Sequence, residues 1–358
     1  MTDPLLSVHD LRTHFQTSEG TVRAVDGIDF DIHSGETVCL VGESGSGKTV
    51  ACESITRLVP TPPGDITGAI RFDGGDLTEM RTKTLRRYRG DRIAHIFQNP
   101  QDALDPVYTV GTQLAEAIQF HRDESKSTVQ QRAVELLDRV GIPEATSRID
   151  EYPHEFSGGM KQRVVIAMAL AADPDMLIAD EPTTALDVTT QARILDLLNE
   201  LKRERDMAIL FVTHDLGVVA EMADRVLVLY AGKVMERGHV YDVFESPAHP
   251  YTQALFRSLP RRNTQPEPIG GTLPSLVDPP DGCRFHPRCP HAIGDCTAGS
   301  QPPLEAVSDD SDRGASCVFY DDDHDQSVVD EEVRTSATMG GARSDRQVES
   351  ERIDGSNQ

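Results

Sequence analysis

The residues best suited to chemistry lie in a glycine-rich stretch, residues 42–49, which follows a short apolar run. Gly45 and Gly47 carry no Cβ, so successive backbone N–H groups can converge on phosphate oxygens in the manner of a Walker A loop. The helix that begins near Lys48 directs the positive end of its dipole at the same anion. We expect Lys48 to contact the β- and γ-phosphates of a nucleotide, and Thr49 to provide a hydroxyl ligand for Mg²⁺.

A second candidate anion site lies far along the chain, at Ser157-Gly158-Gly159. This turn precedes the apolar helix predicted at residues 164–172, and the N-terminus of a helix binds anions. Taken alone, these residues support a simple glycine turn equally well.

Two further polar groups follow buried strands. Residues 176–179 form a continuous apolar run of the kind found inside parallel sheets, and this run leads into Asp180 and Glu181. Ala208–Val212 is a second such run, and His214 follows it. Because ligands bind at the carboxyl ends of strands in open α/β sheets, the two carboxylates are expected at a ligand site.

Four of the six cysteines crowd into the C-terminal part of the chain with the spacing C-x₅-C-x₆-C-x₂₀-C, at Cys283, Cys289, Cys296 and Cys317. Disulfides are disfavoured in the cytosol, so this crowd indicates metal binding. Four thiolates suit tetrahedral zinc and an iron–sulfur cube equally, and His286 and His291 leave a mixed Cys/His zinc site open. Cys39 and Cys52 are expected to be small buried thiols.

The predicted elements indicate an α/β fold. Residues 5–11 and 25–32 suit an antiparallel sheet before the Walker A loop, and Phe15, near its edge, is a core residue on composition alone. Helices fill most of residues 110–172, where Ser127 fits the start of a capping box.

The 358-residue chain is strongly acidic, with a net charge of −24, and only six of its 35 basic residues are lysines. Such a charge opposes nucleic-acid binding, which needs clustered cations on a broad face. It favours a halophilic protein, in which salt screens the repulsion between carboxylates. Residues 321–358 carry 11 acidic residues against four arginines, and they are expected to form a disordered tail.

Neither a membrane-spanning run nor the regions of a signal peptide are visible in the sequence. The chain is therefore expected to stay in the cytosol, with any membrane role acting through a partner.

In their order and spacing, these motifs resemble those of the ATP-binding subunit of ABC transporters, over residues 1 to about 245. The matches to the family's motifs are residues 42–49 for Walker A, Gln98 for the Q-loop, Ser157-Gly158-Gly159 for the signature, residues 176–180 for Walker B, Glu181 for the catalytic carboxylate, Ala185-Leu186-Asp187 for the D-loop and His214 for the switch histidine. The resemblance implies a P-loop NTPase ABC cassette with a RecA-like parallel sheet core, an antiparallel β edge and a helical subdomain at about residues 100–172.

The same resemblance implies roles for single residues. Asp180, Gln98 and Thr49 would hold Mg²⁺, Glu181 would polarise the attacking water, and His214 would hydrogen-bond the γ-phosphate. Phe15 takes the position of the aromatic ring that stacks on adenine. The full set of implied nucleotide contacts is Phe15, Gly42, Ser44, Gly45, Ser46, Gly47, Lys48, Thr49, Gln98, Asp180, Ser157, Gly158, Gly159 and Asp187.

Residues 97–106, 246–252 and 282–290 resemble the dipeptide/oligopeptide (peptide/nickel) importer branch of this family. The branch implies an ATPase that powers peptide import, with nickel or sugar import as alternatives, and a C-terminal extension at residues 246–320 whose four cysteines hold a [4Fe-4S] cluster. A non-transport ABC ATPase with an iron–sulfur module is a further alternative. A chromosome or repair ATPase is disfavoured, because only 109 residues separate Gly47 from Ser157, which leaves no room for a long coiled coil.

The family resemblance also implies partners. The signature of one cassette caps ATP on the Walker A loop of another, so a second ATPase subunit, a sister or a second copy, must meet this one head to tail. Two transmembrane permease subunits and, indirectly, an extracellular substrate-binding protein complete the expected assembly. The chain would then lie at the cytoplasmic face of the cell membrane as a peripheral subunit.

Overall fold

The computed structural model describes residues 3–98, 103–184, 186–258, 266–307 and 312–330. In these ranges the strands are β1 (Leu6–Thr17), β2 (Gly20–Ile32), β3 (Thr37–Val41), β4 (Gly64–Phe72), β5 (Gly75–Asp76), β6 (Ile93–Ile96), β7 (Met176–Asp180), β8 (Ala208–Val212), β9 (Arg225–Tyr230), β10 (Lys233–His239), β11 (Glu305–Ala306) and β12 (Gly314–Ala315).

The α-helices are α1 (Lys48–Ile55), α2 (Thr82–Asp91), α3 (Val110–His121), α4 (Lys126–Arg139), α5 (Ala145–Arg148), α6 (Gly158–Ala169), α7 (Val188–Arg205), α8 (Leu216–Met222), α9 (Val240–Glu245) and α10 (Pro250–Arg257). None of the helices in the described ranges has the length and apolar character needed to cross a membrane.

The larger sheet has the strand order β11-β12-β10-β9-β3-β8-β7-β6. Strands β9, β3, β8, β7 and β6 run parallel to one another, and every residue of β3, β7 and β8 is buried. Burial on both faces explains why these strands are continuous apolar runs in the sequence. Because β3, β8 and β7 are neighbours, their carboxyl ends meet at one edge, where the Walker A loop and the residues after β7 and β8 come together.

A second sheet, in the order β2-β1-β4-β5, is antiparallel throughout. It confirms the antiparallel edge predicted before the Walker A loop, although β1 extends to Thr17 and β2 begins at Gly20. The two strands are longer than their apolar segments because a tight turn, in which the Thr17 hydroxyl donates to the Gly20 carbonyl at 2.7 Å, keeps them paired to the end.

Helices α3 to α6 occupy most of the stretch predicted to be helical. The capping box predicted at Ser127 is wrong, since α4 begins at Lys126 and its N-cap is Ser125. The Ser125 hydroxyl accepts the backbone N–H of Thr128 at 3.3 Å, which satisfies one of the free donors of the first turn. Ser127 therefore lies inside the first turn of the helix.

The residues that follow the cassette are part of the same folded unit as the cassette. Strand β12 pairs with β10, and β11 pairs with β12, so the extension adds two strands to the larger sheet. Tyr251 and Phe285 are fully buried in the core that also contains residues of β7 and β8. The side chain of Gln253 donates to the carbonyl of Val329 at 2.6 Å, and Val329 is buried.

The first ten residues of the stretch expected to be a disordered tail are thus folded. Residues 321–330 include a 3₁₀ helix at Gln326–Val328 that packs on the extension. The sequence did not predict that these residues fold, because acidic residues dominate the stretch and only one apolar side chain in it is buried. The rest of the expected tail, residues 331–358, lies outside the described residues.

A buried ion pair joins the extension to the cassette. The guanidinium of Arg284 contacts the carboxylate of Asp26 in β2 and the carbonyl of Ala231, and both charged side chains are almost fully buried. Burial alone would raise the pKa of Asp26, but Lys233 and Arg284 hold it below its usual value. The pair constrains the extension to stay against β2, because either charge buried without the other would strongly destabilise the fold.

Candidate nucleotide-binding site

The Walker A loop connects β3 to α1 with backbone that only glycine adopts easily. Gly47 has φ 104°, and a Cβ at this position would lie 2.2 Å from the carbonyl oxygen of Ala24. At Gly42, with φ 153°, a Cβ would lie 2.1 Å from the carbonyl oxygen of Leu229. The two glycines therefore let the loop pass directly against β2 and β9, as the sequence pattern requires.

Lys48 lies inside this loop and is largely buried. Its Nζ donates to the carbonyls of Gly42 at 2.8 Å and Glu43 at 2.9 Å, and it lies 3.4 Å from the hydroxyl of Ser46. Burial lowers the pKa of Lys48, while the nearby carboxylates of Glu181 and Asp180 oppose that shift. The ammonium is therefore held by neutral oxygens at the place where phosphate oxygens would compete for it.

Asp180 ends β7 and is buried beside Thr49. Burial and the neighbouring charge of Glu181 raise the pKa of Asp180, and the hydrogen bond from the Thr49 side chain opposes the rise. A hydroxyl and a carboxylate paired in this way are hard oxygen ligands of the kind that Mg²⁺ prefers. The two residues therefore fit the magnesium site that the sequence predicts.

Glu181 follows Asp180 with left-handed backbone, φ 49°, and its N–H donates to the carbonyl of Val212 at 2.9 Å. The Nδ1 atom of His214 lies 3.2 Å from Oε1 of Glu181. Burial alone would raise the pKa of Glu181, but hydrogen bonds from His214, Gln98 and Thr184 bring it below its usual value. Glu181 is thus an ionised carboxylate held between the residues that follow β6 and β8.

These side chains surround one cavity of about 310 Å³. Its lining residues are Ala24, Gly42, Ser44, Gly45, Gly47, Lys48, Thr49, Val50, Gln98, Asp180, Glu181, His214 and Leu276. The structure therefore brings together the predicted Walker A, Walker B, Q-loop and switch residues. Leu276, from the extension, was not predicted, because the Gly- and Pro-rich stretch around it carries no periodic pattern that indicates where it packs.

Ser46 of the Walker A loop is fully buried and is not among the lining residues, and three other predicted contact regions do not line this cavity either. Phe15 is half-buried in β1, with its ring against Gly64. Ser157 caps α6 and accepts the N–H of Met160 at 3.3 Å. Asp187 caps α7 and is exposed. Ser157, Gly158 and Asp187 all face solvent, so a second molecule can reach them. Ala185, part of the predicted D-loop, lies outside the described residues.

Two domain families match the chain. The ABC transporter family matches residues 25–184, and the oligopeptide/dipeptide transporter C-terminal region matches residues 235–296. The dipeptide transport ATP-binding protein DppD of Escherichia coli is 47% identical over 322 residues, which cover 89% of this chain and 98% of that protein. The chain belongs to the ABC transporter ATP-binding proteins. DppD of Bacillus subtilis is 49% identical over 298 residues, covering 82% of this chain and 89% of that protein.

Solved structures support the cassette fold of this ABC protein. A dimeric post-hydrolysis state of an ATP-binding cassette bound to ADP and Pi has a TM-score of 0.61 and 29% identity, covering 66% of this chain and 98% of that one. The cbiO1 protein of Clostridium perfringens, part of an ABC transporter complex, has a TM-score of 0.56 and 30% identity, covering 68% and 91%. The predicted ABC cassette is confirmed.

The four cysteines of the extension lie close enough to influence one another. Burial raises the pKa of Cys317 to about 12, and the thiols of Cys283, Cys289 and Cys296 add to the rise. All four are free thiols, and their deprotonated thiolate forms are soft ligands of the kind that zinc and iron–sulfur clusters take. However, within the described part of the chain no three His, Cys, Asp or Glu side chains converge into a group that could hold a metal ion. A metal in the extension therefore stays a prediction.

The tight fit of Gly47 gives a direct test of the loop geometry. We expect Gly47→Ala to weaken ATP binding by roughly tenfold or more, because a methyl group there must displace the loop from Ala24. Gly294→Ala is the matched control, since a Cβ at Gly294 meets nothing within 4 Å. Equilibrium titration with a fluorescent ATP analogue measures both. Equal affinities for the two variants would contradict the contact.

Proposed function

We propose that this protein is the ATP-hydrolysing subunit that powers dipeptide or oligopeptide import. The observation that carries the proposal is the cavity that joins Lys48, Asp180 and Glu181 at the carboxyl edge of the parallel sheet. The C-terminal family match and the names of the relatives support peptides as the cargo, so nickel and sugar import are not favoured. Reconstituted ATPase activity that rises with added peptide and its binding protein tests the whole proposal.

The residues around the cavity support a mechanism based on positioning and charge neutralisation, which is what phosphoryl transfer requires. Lys48 exchanges its loop carbonyls for phosphate oxygens, and the loop N–H groups bind the same oxygens. Thr49 and Asp180, with Gln98 beside them, would hold Mg²⁺, which when bound offsets charge on the phosphates. Glu181, kept ionised by its hydrogen bonds, accepts a proton from water, and His214 orients Glu181 and reaches the γ-phosphate.

A second cassette must complete the site, because Ser157-Gly158-Gly159 lies outside the cavity of its own chain. Ser157 and Gly158 are exposed at the N-terminus of α6, and a Cβ at Gly158 would meet nothing within 4 Å. The free N–H groups there suit the phosphates of a nucleotide held by another subunit. We therefore propose a head-to-tail pair, formed with a second copy or a sister subunit.

The permease subunits are proposed to dock in a groove of about 770 Å³ between the core and the helical region. Phe97, Tyr108 and Phe120 line the groove and are unusually exposed, at 43%, 54% and 73%. Exposed aromatic side chains of this kind are typical of protein interfaces. Phe97 directly precedes Gln98, so a partner in this groove would lie one residue from the nucleotide cavity. Docking there would place the chain at the cytoplasmic face of the membrane, as a peripheral subunit.

Substitutions of Lys48 and of Glu181 are expected to impair different steps of the ATPase reaction. Lys48→Ala is expected to lose ATP affinity, because the lysine binds ground-state phosphates. Glu181→Gln is expected to keep ATP bound and stop turnover, because it removes the base and keeps the shape of the side chain. Binding and single-turnover hydrolysis are measured on both variants at matched high salt. Near-normal turnover in Glu181→Gln would remove Glu181 from the role of base.

The head-to-tail arrangement predicts complementation between two defective copies. A pair of one Ser157→Arg chain and one Lys48→Ala chain keeps one intact composite site, so we expect roughly half of normal ATPase activity if the two sites are independent. A pair with both changes in one chain and none in the other keeps no intact site. Activity is measured on differently tagged, copurified pairs. If the second pair is active and the first is not, the trans arrangement is wrong.

We further propose that Cys283, Cys289, Cys296 and Cys317 hold a structural [4Fe-4S] cluster, with zinc as the alternative. Protein purified without oxygen should then be brown and contain iron, and Cys283→Ser should remove both the colour and the iron. Cys39→Ser is the control, since Cys39 is a buried thiol of β3. A colourless preparation that contains zinc and no iron would rule out the cluster, and metal-free protein that folds and hydrolyses ATP normally would rule out a structural role.

A further inference from the structure

The C-terminal extension reaches the nucleotide cavity through residues 269–277, which we call the strap. Leu276 lines the cavity together with Ala24 and Gly45. The N–H of Arg23 in β2 donates to the carbonyl of Leu276 at 2.9 Å. One side chain of the strap, Leu273, lies 3.4 Å from the position that a Cβ would take on Gly45. The strap therefore lies against both the start of the cassette and the Walker A loop.

Arg288 fastens the strap to that loop. Its guanidinium donates to the strap carbonyls of Ile269 at 3.2 Å and Gly270 at 2.7 Å. The same guanidinium binds both carboxylate oxygens of Glu43 in the Walker A loop, at 2.8 and 3.2 Å. The Arg288 side chain is only 4% exposed and lies over the ring of Tyr230, 5.7 Å from its centroid. A planar guanidinium held in this way fixes the groups that it joins.

The extension also holds the backbone of the same loop residue. The N–H of Glu43 donates to the hydroxyl of Tyr251 at 2.9 Å, and the carbonyl of Glu43 accepts from Lys48. Glu43 is thus bound by the extension through its amide and its carboxylate, and by the phosphate-binding lysine through its carbonyl. If the extension moved, Glu43 would transmit the displacement directly to Lys48.

The character of the cavity wall suggests which part of the nucleotide meets the strap. Most of its lining side chains are polar or charged, and the apolar ones are Ala24, Val50 and Leu276. Phosphates belong with the glycines and Lys48, whereas the base and sugar present the apolar faces of ATP. Of the three apolar side chains, Leu276 is the largest.

We propose that the strap is part of the nucleotide site, with Leu276 packing against the nucleoside and Arg288 holding the Walker A loop through Glu43. The inference rests on the proposed function, because it assumes that ATP binds in this cavity. It makes Leu276 a specificity-determining residue and Arg288 a positioning residue. The extension then contributes to ATP binding directly as well as to folding.

Leu276→Ala tests the nucleoside contact. We expect the affinities for ATP and ADP to fall by the same factor, about fivefold to twentyfold, because both carry the nucleoside that loses an apolar contact. The affinity for inorganic tripolyphosphate should stay unchanged. All three are measured on the full chain by competition with a fluorescent ATP analogue. Val328→Ala, at an exposed position of the 3₁₀ helix at Gln326–Val328, is the control and should change none of them.

Unchanged ATP affinity in Leu276→Ala, or an equal loss for tripolyphosphate, would overturn the nucleoside contact. Failure of the wild-type protein to bind ATP at all would instead sink the proposed function. The two failures are therefore distinguishable in one set of titrations.

Glu43→Gln and Arg288→Met test the second part of the proposal by hydrogen exchange of the nucleotide-free protein. We expect the amides of residues 43–47 to exchange roughly fivefold faster or more in both variants, because the loop loses its bidentate partner. Glu43→Gln leaves the bonds from Arg288 to the strap in place, so it separates the loop contact from folding of the strap. Arg139→Met, which removes the ion pairs from Arg139 in α4 to Glu200 and Glu204 in α7, is the control. Unchanged loop exchange in Glu43→Gln would overturn the role of Arg288.

Discussion

The structure depends on holding the buried ammonium of Lys48 inside the Walker A loop. Lys48 is buried, and its nearest acceptors are carbonyls of the loop itself, so its charge is neutralised by dipoles rather than by a tight ion pair. The carbonyls stay within hydrogen-bond distance of the ammonium only if the loop keeps its conformation. The close packing of the loop against β2 and β9 maintains that conformation. At Gly42 and Gly47 the neighbouring backbone leaves no space for a Cβ. An anion that reaches the loop then meets a cation and N–H groups already in position.

The parallel sheet brings the remaining groups to that lysine. Asp180 and Glu181 follow β7, and His214 follows β8, so the order of the strands alone puts them at the carboxyl edge next to the loop after β3. Two adjacent carboxylates then experience opposite environments. Burial keeps the pKa of Asp180 high, whereas hydrogen bonds keep that of Glu181 low. Burial therefore disfavours the ionised form of Asp180, whereas hydrogen bonds favour that of Glu181, and this difference suits the two carboxylates to the separate roles proposed above.

The sequence predicted the elements whose cause is local. The glycines of the Walker A loop and the apolar runs of β7 and β8 can be recognised without knowing what packs on them. The features that it missed depend on distant contacts. The carbonyl of Leu276 is bound by Arg23, β12 pairs with β10, and Val329 is buried against Cys317 and Phe319. The start of α4 differs for a smaller reason, since Ser125 and Ser127 are equally good caps by type and only the backbone path selects Ser125.

The extension and the phosphate-binding loop are connected through the same sheet and through side-chain contacts. Strands β11 and β12 continue the sheet that contains β3, while Arg284 and Arg288 join the extension to Asp26 and Glu43. The cysteines lie within the same region, and the thiol of Cys283 is buried in the core that includes Phe285 and Tyr251. Phe285 packs against Tyr251, with ring centroids 5.3 Å apart, and Tyr251 holds the amide of Glu43, so the packing of the extension is linked to the loop by a short chain of contacts. The position of the phosphate-binding loop therefore depends on how the extension packs as well as on the cassette itself.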